Sequence, residues 1–342
     1  MTFVCINTSQ KGITIATHVD DVLCRATREN TEWFWSELQK LYTLKAWDYV
    51  TQEQSRLYCG LRIGHHLEDG VRVYTIDQNA DVAAFLVDQV GLGLRPVKAP
   101  MPDKHLMQSD NTPATKTMQT WFRSALMSIS WFACQTRFDV SHTISQLAQK
   151  MVEPTVGAVL SLKRLIAYMM HKPEFTLTVR RVRQENDWKL YVDSDHAGDK
   201  PYNTRSHTGL IFFLNGMPIH WRSKKQPVTA LSSAAAEVYA FSEAVKEANL
   251  LMWRAEDIGV KVNWPINIYE DNKATVSFQH STTPSSKLRG IYNLRWAWVL
   301  ELRDTSKVRA VKIATDMNIA DILTKCYKPH ELIRMLKICG IA

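Results

Sequence analysis

No run of about 18 apolar residues, the length needed to cross a bilayer, occurs anywhere in the sequence. The first ten residues, MTFVCINTSQ, also lack a charged segment followed by a long apolar stretch. Neither a membrane span nor a secretory leader is expected, which places the chain inside the cell, in a cytoplasmic particle or the nucleus. Cysteine is sparse and dispersed: Cys5, Cys24, Cys59, Cys134, Cys326 and Cys339 form no C-x-x-C pair and have no histidine at zinc-ligand spacing. A disulfide framework and a Cys/His zinc site are thereby excluded, and reduced, mostly buried thiols are expected. Internal repeats, low-complexity tracts, a phosphate-binding glycine loop, a dinucleotide fingerprint and a G-x-S-x-G elbow are all missing.

What is present is the composition of an ordinary globular protein, 45% hydrophobic and 22% charged. At 342 residues the chain can bury a substantial core and is long enough for two or three domains. Its 42 Lys and Arg against 34 Asp and Glu leave a net charge of +8, which suits a polyanionic partner such as nucleic acid. The basic residues are spread along the chain, a pattern for broad backbone contact rather than for a basic tail.

Along the chain, GITIATHVDDVLC (12–24) predicts a hairpin with Asp20 and Asp21 at its tip, followed by a helix from about Thr31. Asp69-Gly70 and Asn215-Gly216, each between alternating apolar residues, predict two more hairpins. Three apolar stripes, led by Phe122, Ile144 and Leu162, predict helices between 118 and 171, and FTLTV then predicts a strand. The charged stretch RRVRQEND (180–187) reads as a linker. Beyond it come strands, a long helix capped by Ser232 or Ser233 with Val238, Phe241, Val245, Ala248 and Met252 on one face, a strand WPINIYEDN, a helical region containing Trp296 and Trp298, a strand VRAVKIA and terminal helices. The two tryptophans read as core or interface rather than as base-stacking platforms.

Four acids fall at element ends in this second part: Asp193 at the first strand, Glu237 early in the long helix, Asp271 after the fourth strand, and Asp321 in NIADILTK behind Asn318. Taken singly, each fits a cap or a solvated group. Together, four carboxylates facing one another would repel by about 4 kcal/mol per close pair at an effective dielectric near 20, so they need divalent cations or protons. Mg²⁺ suits all-oxygen ligation, and two such ions about 4 Å apart serve in-line attack on a phosphodiester. Arg222, Lys224 and Lys225 beside Trp221 fit phosphate contact near this cleft, with Arg205 and Ser206 as further candidates. A solvated edge-strand end guarded by lysine accounts for the same basic residues.

The stretches HVDDVL, YCGLRIG, WFRSALMSISWFACQTRFDVSHTISQLAQKM, YVDSDHAGD, SHTGLIFFLNGMPIHWRSKKQPVTALSSAAAEVYAFSEAVKEA, IYEDNKA and NIADILTK occur in the order found in the Pol polyprotein of copia-type LTR retrotransposons, which the chain resembles over nearly its whole length. The resemblance implies an α/β ribonuclease H-like domain at 185–342, a mixed five-stranded sheet with helices. Before it, at 1–180, an α+β truncated reverse transcriptase with partial palm, thumb and connection-like helices is implied. By that resemblance Asp193, Glu237, Asp271 and Asp321 fall on the family's metal-binding catalytic acids, with Asp195 and Asp199 in support. Two Mg²⁺ ions, replaceable by Mn²⁺, would activate a water and stabilise the leaving 3′ oxygen as the RNA strand of an RNA/DNA hybrid is cut.

The chain departs from the family at several points. His18 stands near the paired acids where the family has Tyr, and the strand carrying the other palm carboxylate would precede Met1. Asp20 and Asp21 are therefore expected to be a remnant polymerase site without synthesis, unless another Pol polypeptide supplies the missing palm and fingers. The family's TKHID stretch aligns with RGIYN (289–293), a family His falls on Ala297, and Ala235 replaces an acid beside the catalytic helix position. These losses leave open a silent nucleic-acid-binding remnant. A transposase-type nuclease fits less well, because it would present two Asp and then a Glu.

Overall fold

A computed structural model describes residues 4–8, 12–101, 110–180, 185–196, 204–280 and 294–341. None of the helices it describes is long and apolar enough to cross a membrane. The described strands form three sheets. β1 (Val4–Thr8), β2 (Ile13–His18) and β3 (Asp21–Arg25) make a three-stranded antiparallel sheet. His18 pairs with Asp21, so the turn holds only Val19 and Asp20. Asp20 sits at the tip as expected, whereas Asp21 already opens the next strand. The helix that follows, α1 (Arg28–Gln39), begins three residues earlier than its apolar stripe suggested, because the Thr27 hydroxyl caps it by accepting from the Asn30 N–H.

β4 (Arg56–Tyr58), β5 (Leu61–Glu68), β6 (Val71–Asp77) and β7 (Thr176–Arg180) form a four-stranded sheet. Asp69 and Gly70 both take positive φ at the β5–β6 turn, as a two-residue hairpin requires. β7 is the FTLTV strand, and it pairs antiparallel with β6 from almost a hundred residues away. The described helices between them are α2 (Asn79–Asp88), α3 (Lys116–Gln135), α4 (Ser141–Ala148) and α5 (Val156–His171). Their stripes meet in one core around Phe122, Leu126, Ile129, Leu147, Leu162 and Ile166. A buried ion pair anchors this layer. The Arg137 guanidinium donates to Asp139 at 3.0 and 2.9 Å, the Tyr168 hydroxyl donates to the same carboxylate at 2.7 Å, and Phe175 lies under the guanidinium.

The third sheet runs in the order β10-β9-β8-β11-β12, built from β8 (Trp188–Asp195), β9 (His207–Leu214), β10 (Met217–Lys225), β11 (Ile266–Glu270) and β12 (Val308–Lys312). The first three strands are antiparallel, and β11 and β12 run parallel to β8. With α6 (Ser233–Asp257), α7 (Lys273–His280), α8 (Leu294–Asp304) and α9 (Pro329–Ile338), this is a ribonuclease H-like mixed sheet with helices. Asn215-Gly216 makes the β9–β10 turn with two positive φ values.

The sheet is covered on both faces. Leu190, Val192, Leu210 and Phe212 pack against α6, with Trp296 of α8 also buried there. Alternate residues Tyr191, Ile211 and Phe213 pack into the core of the α3–α5 layer, joined by Trp221, Ile319 and Leu323. Burial on both faces explains why β9, HTGLIFFL, reads as a nearly continuous apolar run. It also means that regions 1–180 and 185–342 share a core.

Close packing matters most at Gly209 of β9, where the 3₁₀ helix Ile319–Leu323 lies against the sheet. An added Cβ would stand 2.7 Å from Thr324 Cγ2, 2.8 Å from the Ala320 carbonyl oxygen and 2.8 Å from Leu323 Cβ. Gly209→Ala is therefore expected to destabilise the protein by about 1–3 kcal/mol, the usual cost of overpacking, read as a lowered urea midpoint. An unchanged midpoint would show that the 3₁₀ segment is not held against the strand.

Candidate metal centre

Strand register places the first two acids side by side. Tyr269 of β11 pairs with Tyr191 of β8, so Asp271 and Asp193, each two residues further on, come level at the carboxyl ends of parallel strands. Asp271 follows the last residue of β11 and is fixed from both sides by Asn272. The Asn272 N–H donates to Glu270 Oε1 at 2.9 Å, and its side-chain oxygen accepts from the N–H groups of Ala274 and Thr275 at the start of α7. Glu237 comes from the opening turns of α6, whose N-cap Ser232 accepts from the Ala235 N–H. The buried Gln226 amide, which lies 3.0 Å from both Thr208 Oγ1 and the Ala236 carbonyl oxygen, ties that helix start to β9.

Asp321 lies in the 3₁₀ helix rather than in an α-helix. Asn318 caps this turn, accepting from the Ala320 N–H at 3.2 Å, and its amide donates to the Val192 carbonyl at 2.9 Å. The Ser223 hydroxyl donates to the Leu323 carbonyl at 2.6 Å. Thr324, at the end of the turn, donates its hydroxyl to Asp193.

The result is two carboxylate triads that share a member. One oxygen from each of Asp193, Asp271 and Asp321 lies within 4.8 Å of the others, and the same holds for Glu237, Glu270 and Asp271. The structure therefore brings together all four acids singled out by sequence and adds Glu270. The Lys325 ammonium, which sequence reasoning missed, stands 2.9 Å from Asp321 and 3.7 Å from Asp193. Its signal was the four-residue spacing from Asp321.

Burial dominates the electrostatics. It raises the pKa of Asp193, with Lys325 and Thr324 opposing, and raises Glu237 and Glu270 well above the usual carboxylate range. Burial and the neighbouring Asp193 push Asp321 up to about 7. Lys325 loses some basicity to burial, but Asp193 and Asp321 more than restore it and hold its pKa above the usual lysine value. Glu237 Oε2, Glu270 Oε2 and Asp321 Oδ1 are buried and have no hydrogen-bond partner. Orphaned oxygens in an oxygen-only donor set fit a hard divalent cation such as Mg²⁺.

The other residues singled out by sequence lie elsewhere. Arg222 reaches α6, with Nη1 2.6 Å from Glu247 Oε1 and 3.5 Å from Glu243 Oε2. Lys225 donates to Gln149 at 2.7 Å, Lys224 and Arg205 are exposed, and Ser206 is fully buried. Asp20 and Asp21 belong to the three-stranded sheet, where Asp21 accepts from the Cys59 N–H at 3.3 Å. Asp199 and the RGIYN stretch lie outside the described residues.

The pKa of Asp321 gives a signed expectation. Between about pH 4 and 7 the folded state keeps a proton that the unfolded chain has released, so this group favours folding less as pH rises through that window. Without divalent cation, the melting temperature is expected to fall from pH 5 to pH 8, and Mg²⁺ is expected to raise it more at pH 8 than at pH 6. Equal Mg²⁺ shifts at both pH values would show that binding displaces no protons.

No protein-family model matches the chain. The Arabidopsis thaliana Retrovirus-related Pol polyprotein from transposon RE1 is 29% identical over 234 residues, which cover 68% of this chain and 15% of that protein. The corresponding polyprotein from transposon RE2 is 28% identical over 267 residues, 77% of this chain and 17% of its own length. The crystal structure of LC11-RNase H1 in complex with RNA/DNA hybrid matches 40% of this chain and 94% of that one at 16% identity, with a TM-score of 0.31. The fold assignment rests on strand order and register, independent of that superposition. Over most of its length this chain is homologous to a short stretch, about one sixth, of the retrotransposon Pol polyproteins.

Proposed function

We propose that the chain hydrolyses the RNA strand of RNA/DNA hybrids at the Asp193 centre, with Mg²⁺ as the cation. The observation that carries this reading is the convergence of Asp193, Glu237, Asp271 and Asp321 from a strand end, a helix, a second strand end and a 3₁₀ turn, where Glu237 and Asp321 each keep one oxygen buried and unpartnered. A divalent cation bound there would activate water and neutralise charge on the phosphodiester.

The chain's own residues prepare that chemistry. Thr324 fixes the Asp193 carboxylate, and the Asn318 and Ser223 bonds hold the 3₁₀ turn that carries Asp321. Lys325 keeps positive charge beside Asp193 and Asp321, so an approaching phosphate does not meet bare carboxylates. The net charge of +8 draws in a polyanion over a longer range. Lys224 and Arg205, both exposed, would contact phosphate in this reading, whereas Arg222 braces α6. We assign the ribonuclease part to 185–342 and read 1–180 as palm, thumb and connection-like segments. Asp20 and Asp21 would belong to the polymerase site of that palm segment.

The test is cleavage of a hybrid carrying 5′-labelled RNA by the purified chain. Cleavage is expected with Mg²⁺ and not with EDTA, and Asp193→Asn is expected to lower the rate by at least about a hundredfold, the upper end of what losses around a metal site cost. Salt-sensitive hybrid binding without cleavage would replace the nuclease with a binding-only remnant.

A further inference from the structure

Glu270 is the member of the acidic centre that no strand-end pattern singled out. It ends β11, is fully buried, and pairs in register with Lys312 of β12. One carboxylate oxygen accepts the Asn272 N–H, which fixes the side chain locally. The other is buried with no hydrogen-bond partner, and so is one oxygen of Glu237 in the same triad. Neither glutamate has an ion-pair partner among the described residues, whereas Lys325 serves the Asp193–Asp321 side.

From this geometry we infer that Glu270 is a fifth carboxylate ligand of the centre, forming with Glu237 and Asp271 a second divalent-cation position in the triad that Lys325 does not pair with. The inference rests on the two-cation reading of the site. A buried carboxylate with an orphaned oxygen is costly unless a proton or a cation occupies it, and a position meant only for packing would be better filled by an apolar side chain. Chain geometry permits the role. Residues in a regular strand alternate faces, but β11 stops at Glu270, so Glu270 and Asp271 can turn toward one ion. The charges also match: five carboxylates and one ammonium leave four negative charges, which two divalent cations cancel.

The experiment counts Mn²⁺ bound to the full chain by electron paramagnetic resonance and calorimetric titration, independently of any cleavage. Wild type is expected to bind two ions. Glu270→Gln, which has nearly the same shape and can keep the burial, is expected to bind one of them about tenfold or more weakly. Glu270→Asp, which keeps the charge on a shorter arm, is expected to fall between the two. Circular dichroism confirms folding, and if Glu270→Gln does not fold, the comparison is made with Glu270→Asp alone. Two ions held equally tightly by wild type and each folded variant would overturn the role of Glu270 and leave the two-cation centre standing. If wild type binds no Mn²⁺, the two-cation reading itself falls, and the role of Glu270 falls with it.

Discussion

Carboxylates crowded together out of water repel one another, and each loses hydration as well. The arrangement around Asp193 therefore has to be imposed by the rest of the fold. Every acid comes from a different element or turn, and each of those elements is tied down close to the acid it carries. Asn318 and Ser223 pin the 3₁₀ turn of Asp321, Gln226 pins the start of α6, and Asn272 clamps the turn of Asp271. Loosening any one of these ties would let a carboxylate swing toward solvent, where it is more stable. Burial first, and the neighbouring carboxylates after it, raise the proton affinity of Asp321 and of the two buried glutamates.

Much of this was legible in the sequence where local chemistry decides the structure. Asp69-Gly70 and Asn215-Gly216 announced their hairpins because few other residues accept two successive positive φ values. The stepping of Val238, Phe241, Val245, Ala248 and Met252 announced α6, and each of these residues is buried as that face requires. The four acids were singled out by their order on strand, helix, strand and late helix, the last of which the structure forms as a 3₁₀ turn.

What was not legible depends on neighbours distant in sequence. Glu270 was passed over because alternation along a strand sends adjacent residues to opposite faces, and only the observed end of β11 releases Asp271 from that rule. Arg222 looked like a phosphate contact from its neighbours Lys224 and Lys225, yet its partners Glu243 and Glu247 lie on a helix that only the fold brings alongside. Lys325 was hidden for a similar reason, since its value comes from Asp193, more than a hundred residues earlier in the chain.

The five-stranded sheet has no face that was built for water. Tyr191, Ile211, Phe213 and Trp221 pack against helices that precede the sheet in the chain. A segment exchanged between genomes by recombination would have to carry those helices along, or arrive with an oily face that seeks any available partner. The five-stranded sheet and the helices that precede it therefore have to keep their packing together, since a change on either side of the shared core is felt on the other.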